Sequence, residues 1–200
     1  RDSVLWLEFR RVLFRSSVYS KEKAEYLAAA IKSVLDQTRQ PDQIVIVKDG
    51  PLPKRLEKVI EKYAHGNKRF TIVSLTENKG LGIALNKGLA VCKHPIVARM
   101  DTDDIAMPDR FQKQIEYLAI HPDTIIVGSN IQEYGNSMTN ALAIRKVPEH
   151  TDAIISFAKK RNPFNHMSVV FKKDAILEAG GYQHCPYFED YYLWLRVIQY

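Results

Sequence analysis

Ile44-Val45-Ile46-Val47 places four β-branched apolar residues in succession. Side chains alternate across a strand, so this run presents apolar surface on both sides and requires cover on both faces. Strands of that kind sit inside parallel sheets flanked by helices, and Lys48-Asp49-Gly50-Pro51 ends the run with turn residues. Upstream, Leu27, Ala30, Ile31, Val34 and Leu35 recur at helical spacing and predict an amphipathic helix, N-capped by Ser20, that ends before Pro41. Downstream, Leu56, Val59, Ile60 and Tyr63 mark a helix, Phe70 to Leu75 a strand, and Gly80 to Ala90 a helix. Ile96 to Met100 is then a strand and Pro108 to Ile120 a helix with Phe111, Ile115 and Leu118 facing inward. This alternation predicts an α/β fold: a doubly wound, mainly parallel sheet with helices on both faces and right-handed crossovers.

Beyond Ile125-Ile126-Val127-Gly128 the rhythm loosens, with a helix near Thr151 to Lys160, a strand over Ser168 to Phe171 and a helix from Glu189. No repeat or low-complexity linker divides the chain, and 200 residues at 46% hydrophobic content suit one core better than two. Residues 17–200 therefore read as a single domain. Residues 1–16 mix arginines with large apolar side chains in neither helical nor strand period, and they lack the features of a signal peptide. They read as a non-native leader that fits no element of the sheet. At the other end, the helical pattern through Tyr192, Leu193, Leu195, Arg196 and Val197 meets Tyr200 without a cap, as a truncated C-terminus would.

The 29 Lys and Arg residues against 23 Asp and Glu leave a net charge of +6, a modest excess suited to anionic substrates or an anionic membrane surface. No basic run favours nucleic acid. Cys92 and Cys185 stand far apart and outside any metal-ligand spacing, which fits free thiols in a reducing, cytoplasmic setting. No apolar run reaches the ~18 residues that span a bilayer, so membrane association is expected to be peripheral.

The chemistry concentrates in Ile96-Val97-Ala98-Arg99-Met100-Asp101-Thr102-Asp103-Asp104, an apolar run ending in three carboxylates. Carboxylates this close repel unless a cation lies among them, and a hard divalent ion with oxygen ligands answers that need. In extended backbone Asp101 and Asp103 project to one side while Thr102 points away. Mg²⁺ or Mn²⁺ held so completes its shell with water and substrate phosphates, which points to a phosphate-bearing substrate. Capping of the helix near Pro108 by Asp103 or Asp104 is the alternative, but it needs one Asp rather than three. A Ca²⁺ loop is disfavoured by Ile105 and Ala106 where a ligand and a glycine belong. Asp49 and Asp101 both follow strands, at the carboxyl edge where open α/β sheets bind ligands. Thr76 to Gly82 lies on that edge and opens a helix, offering backbone N–H groups and Lys79 to phosphate.

These pieces resemble the family 2 glycosyltransferases. The matching segments are Ser17-Val18-Tyr19-Ser20, Ser33-Val34-Leu35-Asp36-Gln37-Thr38, Ile46-Val47-Lys48-Asp49-Gly50, Asn78 to Leu89 and Ala98 to Asp104. Asn165-His166, Gly180-Gly181-Tyr182 and Glu189-Asp190-Tyr191-Tyr192-Leu193-Trp194-Leu195-Arg196 complete the set. The resemblance implies a GT-A, Rossmann-like fold and an inverting transferase that moves a sugar from a nucleotide-diphospho-sugar, a UDP-sugar, to a glycan or lipid-linked acceptor. The setting implied is bacterial surface-polysaccharide synthesis at the inner face of the plasma membrane. Tyr19 would stack on the base, Asp49 would accept a base N–H, Lys79 would meet phosphate and Asp101 would contact ribose or metal. Asp103 would coordinate Mg²⁺ or Mn²⁺, Asp190 would be the general base, and Glu189 and His166 would support it or the acceptor.

Each role has a structural competitor. Tyr19 also suits a core aromatic, Asp49 a turn, Glu189 and Asp190 a helix start, and His166 a buried hydrogen-bonded site. Lys48 departs from the family, which usually carries an acidic residue there. The rivals are a haloacid-dehalogenase-type phosphotransferase, whose Asp-x-Asp follows the opening strand, and a non-catalytic sugar-nucleotide-binding scaffold.

Overall fold

The computed structural model describes residues 12–135 and 139–199, with side chains described from Ser17 onward. The elements are β1 (Val12–Val18), α1 (Ala24–Leu35), β2 (Gln43–Lys48), α2 (Lys54–Ala64), β3 (Phe70–Ser74), α3 (Leu81–Ala90), β4 (Ile96–Arg99) and α4 (Arg110–Ile120). They continue with β5 (Ile126–Val127), β6 (Ile131–Tyr134), β7 (Ala141–Arg145), α5 (Thr151–Ala158), a 3-10 turn (His166–Ser168), β8 (Val170–Lys172), α6 (Lys173–Glu178) and α7 (Glu189–Val197). The main sheet runs β3-β2-β1-β4-β8-β5, while β6 and β7 form a separate hairpin. The first four of these strands are mutually parallel, and β8 runs antiparallel to both β4 and β5.

The β2 run behaves as its residues require. Ile44 and Ile46 join the core under α1, α2 and α4, while Val45 and Val47 join the core under α3, α6 and α7. All four are at most 1% exposed, each burial contributing about 1.5–3 kcal/mol. β4 divides likewise, with Ile96 and Ala98 on one side and Val97 on the other. The sheet is thus covered on both faces, as the alternation predicts.

Two expectations need correction. Residues 12–16, assigned above to a leader outside the sheet, are the greater part of β1, which pairs with β2 through Leu13↔Gln43 to Val18↔Lys48 and with β4 through Val12↔Ile96 to Arg15↔Arg99. Pairing of this kind is made by the backbone, so a segment without strand alternation fills the slot between two apolar strands. Residues 1–11 of that leader lie outside the described residues. Ser20 does not cap α1, because the chain first turns, with Glu22 N–H donating to the Tyr19 carbonyl at 3.2 Å, and the helix starts at Ala24.

Ser33 to Thr38, recognised above only as a motif, has a structural task. Gln37, 3% exposed, donates to the Met107 carbonyl at 2.7 Å and accepts from Phe111 N–H at 3.0 Å. Ser33 Oγ accepts from Ala106 N–H at 3.1 Å, and Thr38 N–H donates to the Pro108 carbonyl at 2.8 Å. The end of α1 therefore fixes the segment that follows the Asp cluster. Gln37→Ala leaves the buried Phe111 N–H unpaired, while the Met107 carbonyl keeps its bond from Arg110 N–H, and the change is expected to cost about 1–3 kcal/mol. Urea denaturation checks this, and an unchanged midpoint would contradict it.

Candidate active site

Asp101, Asp103 and Asp104 follow β4 and hold carboxylate oxygens within 4.8 Å of one another. None caps α4, whose N-cap is Asp109. Thr102 is turned inward at 3% exposure, which leaves its two neighbours facing outward. Arg99, 1% exposed, forms an ion pair with Asp101, and its Nε has no hydrogen-bond partner among the described residues. Arg110 lies behind the cluster, donating to the Arg99 carbonyl at 2.7 Å. Burial and the neighbouring Arg99 charge push the Arg110 pKa down to about 9, with Asp104 opposing, so it remains cationic at neutral pH.

Asp104, unassigned from sequence, completes the cluster. Its Oδ2 is buried without a hydrogen-bond partner among the described residues. Burial pushes its carboxyl up to about 6 from 3.8, with Asp101 and Asp103 adding to the rise and Arg99 and Arg110 opposing it. A buried carboxylate oxygen without a donor beside two further carboxylates is a donor set that fits a hard divalent cation. Glu22, missed in the sequence, adds a fourth acid: burial raises its pKa, a hydrogen bond with Thr102 lowers it, and the Asp103 and Asp101 charges raise it. Only the turn after β1 brings it here, and no spacing in the sequence signals that.

The Asp104 shift has a consequence for stability. The folded protein keeps a proton at this carboxyl that the unfolded chain has released, so its contribution is full below about pH 4 and is lost as pH rises through about 6. The size is on the order of 3 kcal/mol. Metal-free thermal unfolding should show this fall, and Asp104→Asn should flatten it. An unaltered pH slope in the variant would contradict the assignment.

Asp49 takes up a different task from a turn residue. At 6% exposure, its two carboxylate oxygens accept from Lys79 N–H at 2.7 Å and Gly80 N–H at 3.1 Å, tying the end of β2 to the start of α3. Gly50 makes this approach possible: its φ is +87°, and a Cβ there would lie 2.7 Å from the Asn78 nitrogen. The Lys79 ammonium pairs with Glu77 at 3.4 Å and stays half exposed. Lys48, where the family usually has an acid, is held by both oxygens of Glu57 at 3.0 and 3.1 Å. Tyr19 is 42% exposed at the carboxyl end of β1, so it is not a core aromatic.

Glu189 and Asp190 open α7 and serve different neighbours. Glu189 packs on Gly82, where an added Cβ would lie 3.3 Å from its Cγ, at the first turn of α3. One Asp190 oxygen accepts from Asn162 Nδ2 at 2.6 Å. Asn162 is oriented for this because its Oδ1 accepts from Phe164 N–H at 3.2 Å. Asn162 was missed in the sequence, where Asn162-Pro163 signals only a turn. His166 is 9% exposed, bonded to the Tyr182 hydroxyl at 3.0 Å and set edge-on to Trp194, yet it lines the same cleft as Asp190. The Gly180-Gly181-Tyr182 segment is locked to α3, since the Asn86 amide bonds both the N–H and the carbonyl of Tyr182, at 2.9 and 2.6 Å.

A mostly parallel sheet with an acidic cluster and a tethered Asp-Gly turn at its carboxyl edge puts the candidate site where open α/β sheets bind their ligands. Residues 17–178 match glycosyl transferase family 2, and the chain belongs to that family. This sets aside the phosphotransferase reading. The amylovoran biosynthesis glycosyltransferase AmsE of Erwinia amylovora is 46% identical over 91% of this chain and 67% of its own length. The UDP-Gal:alpha-D-GlcNAc-diphosphoundecaprenol beta-1,3-galactosyltransferase of Escherichia coli is 36% identical over 91% of this chain and 66% of its own. Among solved structures, the mannosyltransferase PcManGT of Pyrobaculum calidifontis, in complex with GDP-Man and Mn²⁺, superposes with a TM-score of 0.69. It covers 94% of this chain and 51% of that one at 17% identity, which establishes the shared GT-A fold. The chain spans about two thirds of the length of its curated relatives. No helix among the described residues is long and apolar enough to cross a membrane.

Proposed function

We propose that this glycosyltransferase moves a sugar, with inversion, from a UDP-sugar to a glycan or lipid-linked acceptor in bacterial surface-polysaccharide synthesis, using Mg²⁺ or Mn²⁺. The observation that carries the reading is the cluster of Asp101, Asp103 and Asp104 with the buried, donor-free Asp104 oxygen. Asp101, Asp103 and Asp104 would hold the divalent ion, which when bound would supply positive charge against the diphosphate leaving group. Tyr19 offers an exposed ring for stacking on the base, and Asp101 and Lys79 face ribose and phosphate. Asp49 keeps the base pocket in register through its bonds to the start of α3. Asp190, oriented by Asn162, takes the proton as the acceptor oxygen attacks the anomeric carbon. The C–O bond to the diphosphate breaks in the same displacement, and the electron pair leaves with the nucleoside diphosphate. Glu189 braces the donor loop and His166 the acceptor side.

The names of the relatives support the acceptor class, since one is assigned to amylovoran biosynthesis and another to a diphosphoundecaprenol-linked acceptor. On this reading the protein would meet such an acceptor as a peripheral protein at the cytoplasmic face of the plasma membrane. A panel of nucleotide-sugars tested for Mn²⁺-dependent thermal stabilisation checks the reading. A ligand at a hundred times its Kd should add about 2.7 kcal/mol, selectively for one UDP-sugar. Stabilisation that ignores the nucleotide, or none with any donor, would contradict it.

A further inference from the structure

The polar cleft that Asp190 and His166 share has a volume of about 420 Å³ and includes none of the three clustered carboxylates. Arg145, Lys160 and Arg161 line it, and Asp190 is its one acidic lining residue. No ion pair among the described residues engages any of these three cations. They come from separate parts of the chain, Arg145 from the end of β7 and the other two from the turn after α5. Both parts are held in place. Asn165, 1% exposed, donates to the Arg145 carbonyl at 3.3 Å and the Ser129 carbonyl at 2.9 Å, while Lys160 and Arg161 N–H groups both donate to the Phe157 carbonyl. Like charges gathered at one mouth repel, and an anion in the cleft relieves the repulsion. Guanidinium groups also match phosphate oxygens through paired N–H donors. Tyr187 and Phe188, 93% and 58% exposed, add apolar surface to the same cleft, and Tyr187 is held at φ +71°.

We propose that this cleft binds the diphosphate of an acceptor whose sugar is diphosphate-linked to an apolar chain, with Arg145, Lys160 and Arg161 as the anion-binding groups. The proposal rests on the reading of Asp190 as the base, because the cleft would then deliver the acceptor hydroxyl to it. The donor diphosphate belongs to the acidic cluster and needs a cation. The acceptor diphosphate needs none, since the protein itself supplies the positive charge. Two anionic groups in series suit cations contributed by two separate segments, and the exposed aromatics suit the adjoining apolar chain.

Geranyl diphosphate serves as the probe, titrated in chelator so that the donor site lacks metal, with geranyl monophosphate and geraniol as controls. The whole chain should bind the diphosphate more tightly than either control. The triple variant Arg145→Gln, Lys160→Gln, Arg161→Gln should bind it at least 10-fold more weakly, and Asp103→Asn should bind it as before. UDP binding in Mn²⁺ by the triple variant should be unchanged, which also shows that it folds. Equal geranyl diphosphate binding by the triple variant would overturn the proposal, as would loss of binding in Asp103→Asn. Loss in the triple variant of binding to phosphatidylglycerol vesicles alone, with the diphosphate still held, would make the patch a membrane contact and also overturn it. If UDP fails to bind the native chain in Mn²⁺ while the diphosphate results hold, the donor reading falls and the cleft assignment stands.

Discussion

Asp190→Asn should lower turnover by ~10²-fold or more while leaving UDP-sugar affinity unchanged. The amide keeps the shape of the carboxylate and can still meet Asn162, with the 2.6 Å contact rearranged, but it cannot take a proton at neutral pH. A general base acts only as the acceptor attacks, so its loss appears in the transition state and not in donor binding. Both quantities should be measured on one preparation, by steady-state sugar transfer and by calorimetric titration of the donor. Unchanged turnover would reduce Asp190 to a charge at the start of α7. Donor affinity falling together with turnover would instead move it into the donor site.

Asp103→Asn should act in the opposite way, on binding first. Removing one charged oxygen from a set whose members lie within 4.8 Å should weaken Mn²⁺-dependent UDP binding by at least ~10²-fold, since even groups that only orient metal ligands are worth 10- to 100-fold. Asp103 is the exposed member of the cluster, so the fold should tolerate the change. Calorimetry of UDP in Mn²⁺ reads the effect. Equal affinity in the variant would take Asp103 out of the metal set.

The pattern of apolar residues made most of the sheet legible, because burial on two faces leaves its trace in consecutive positions such as Ile44 to Val47. The acidic motif was legible for a similar reason, since its members are neighbours in the chain. What escaped was assembled across distance. Glu22 reaches the cluster through a turn that replaces the expected Ser20 cap, and Asn162 meets Asp190 28 residues away in the chain. Arg145, Lys160 and Arg161 each look like ordinary surface cations until one cleft gathers them. Residues 12–16 escaped because a strand between two partners is held by its backbone, and composition carries little of that signal. Lys48 looked like a flaw in the motif, yet its side chain is four-fifths buried and its ammonium is ion-paired with Glu57.

The central claim is that the three carboxylates form a metal-dependent nucleotide site. Titrating the native chain with UDP in Mn²⁺, and again in chelator, tests it most directly. The account predicts saturable binding in Mn²⁺ and loss of most of that affinity in chelator. Equal UDP affinity under both conditions would contradict it.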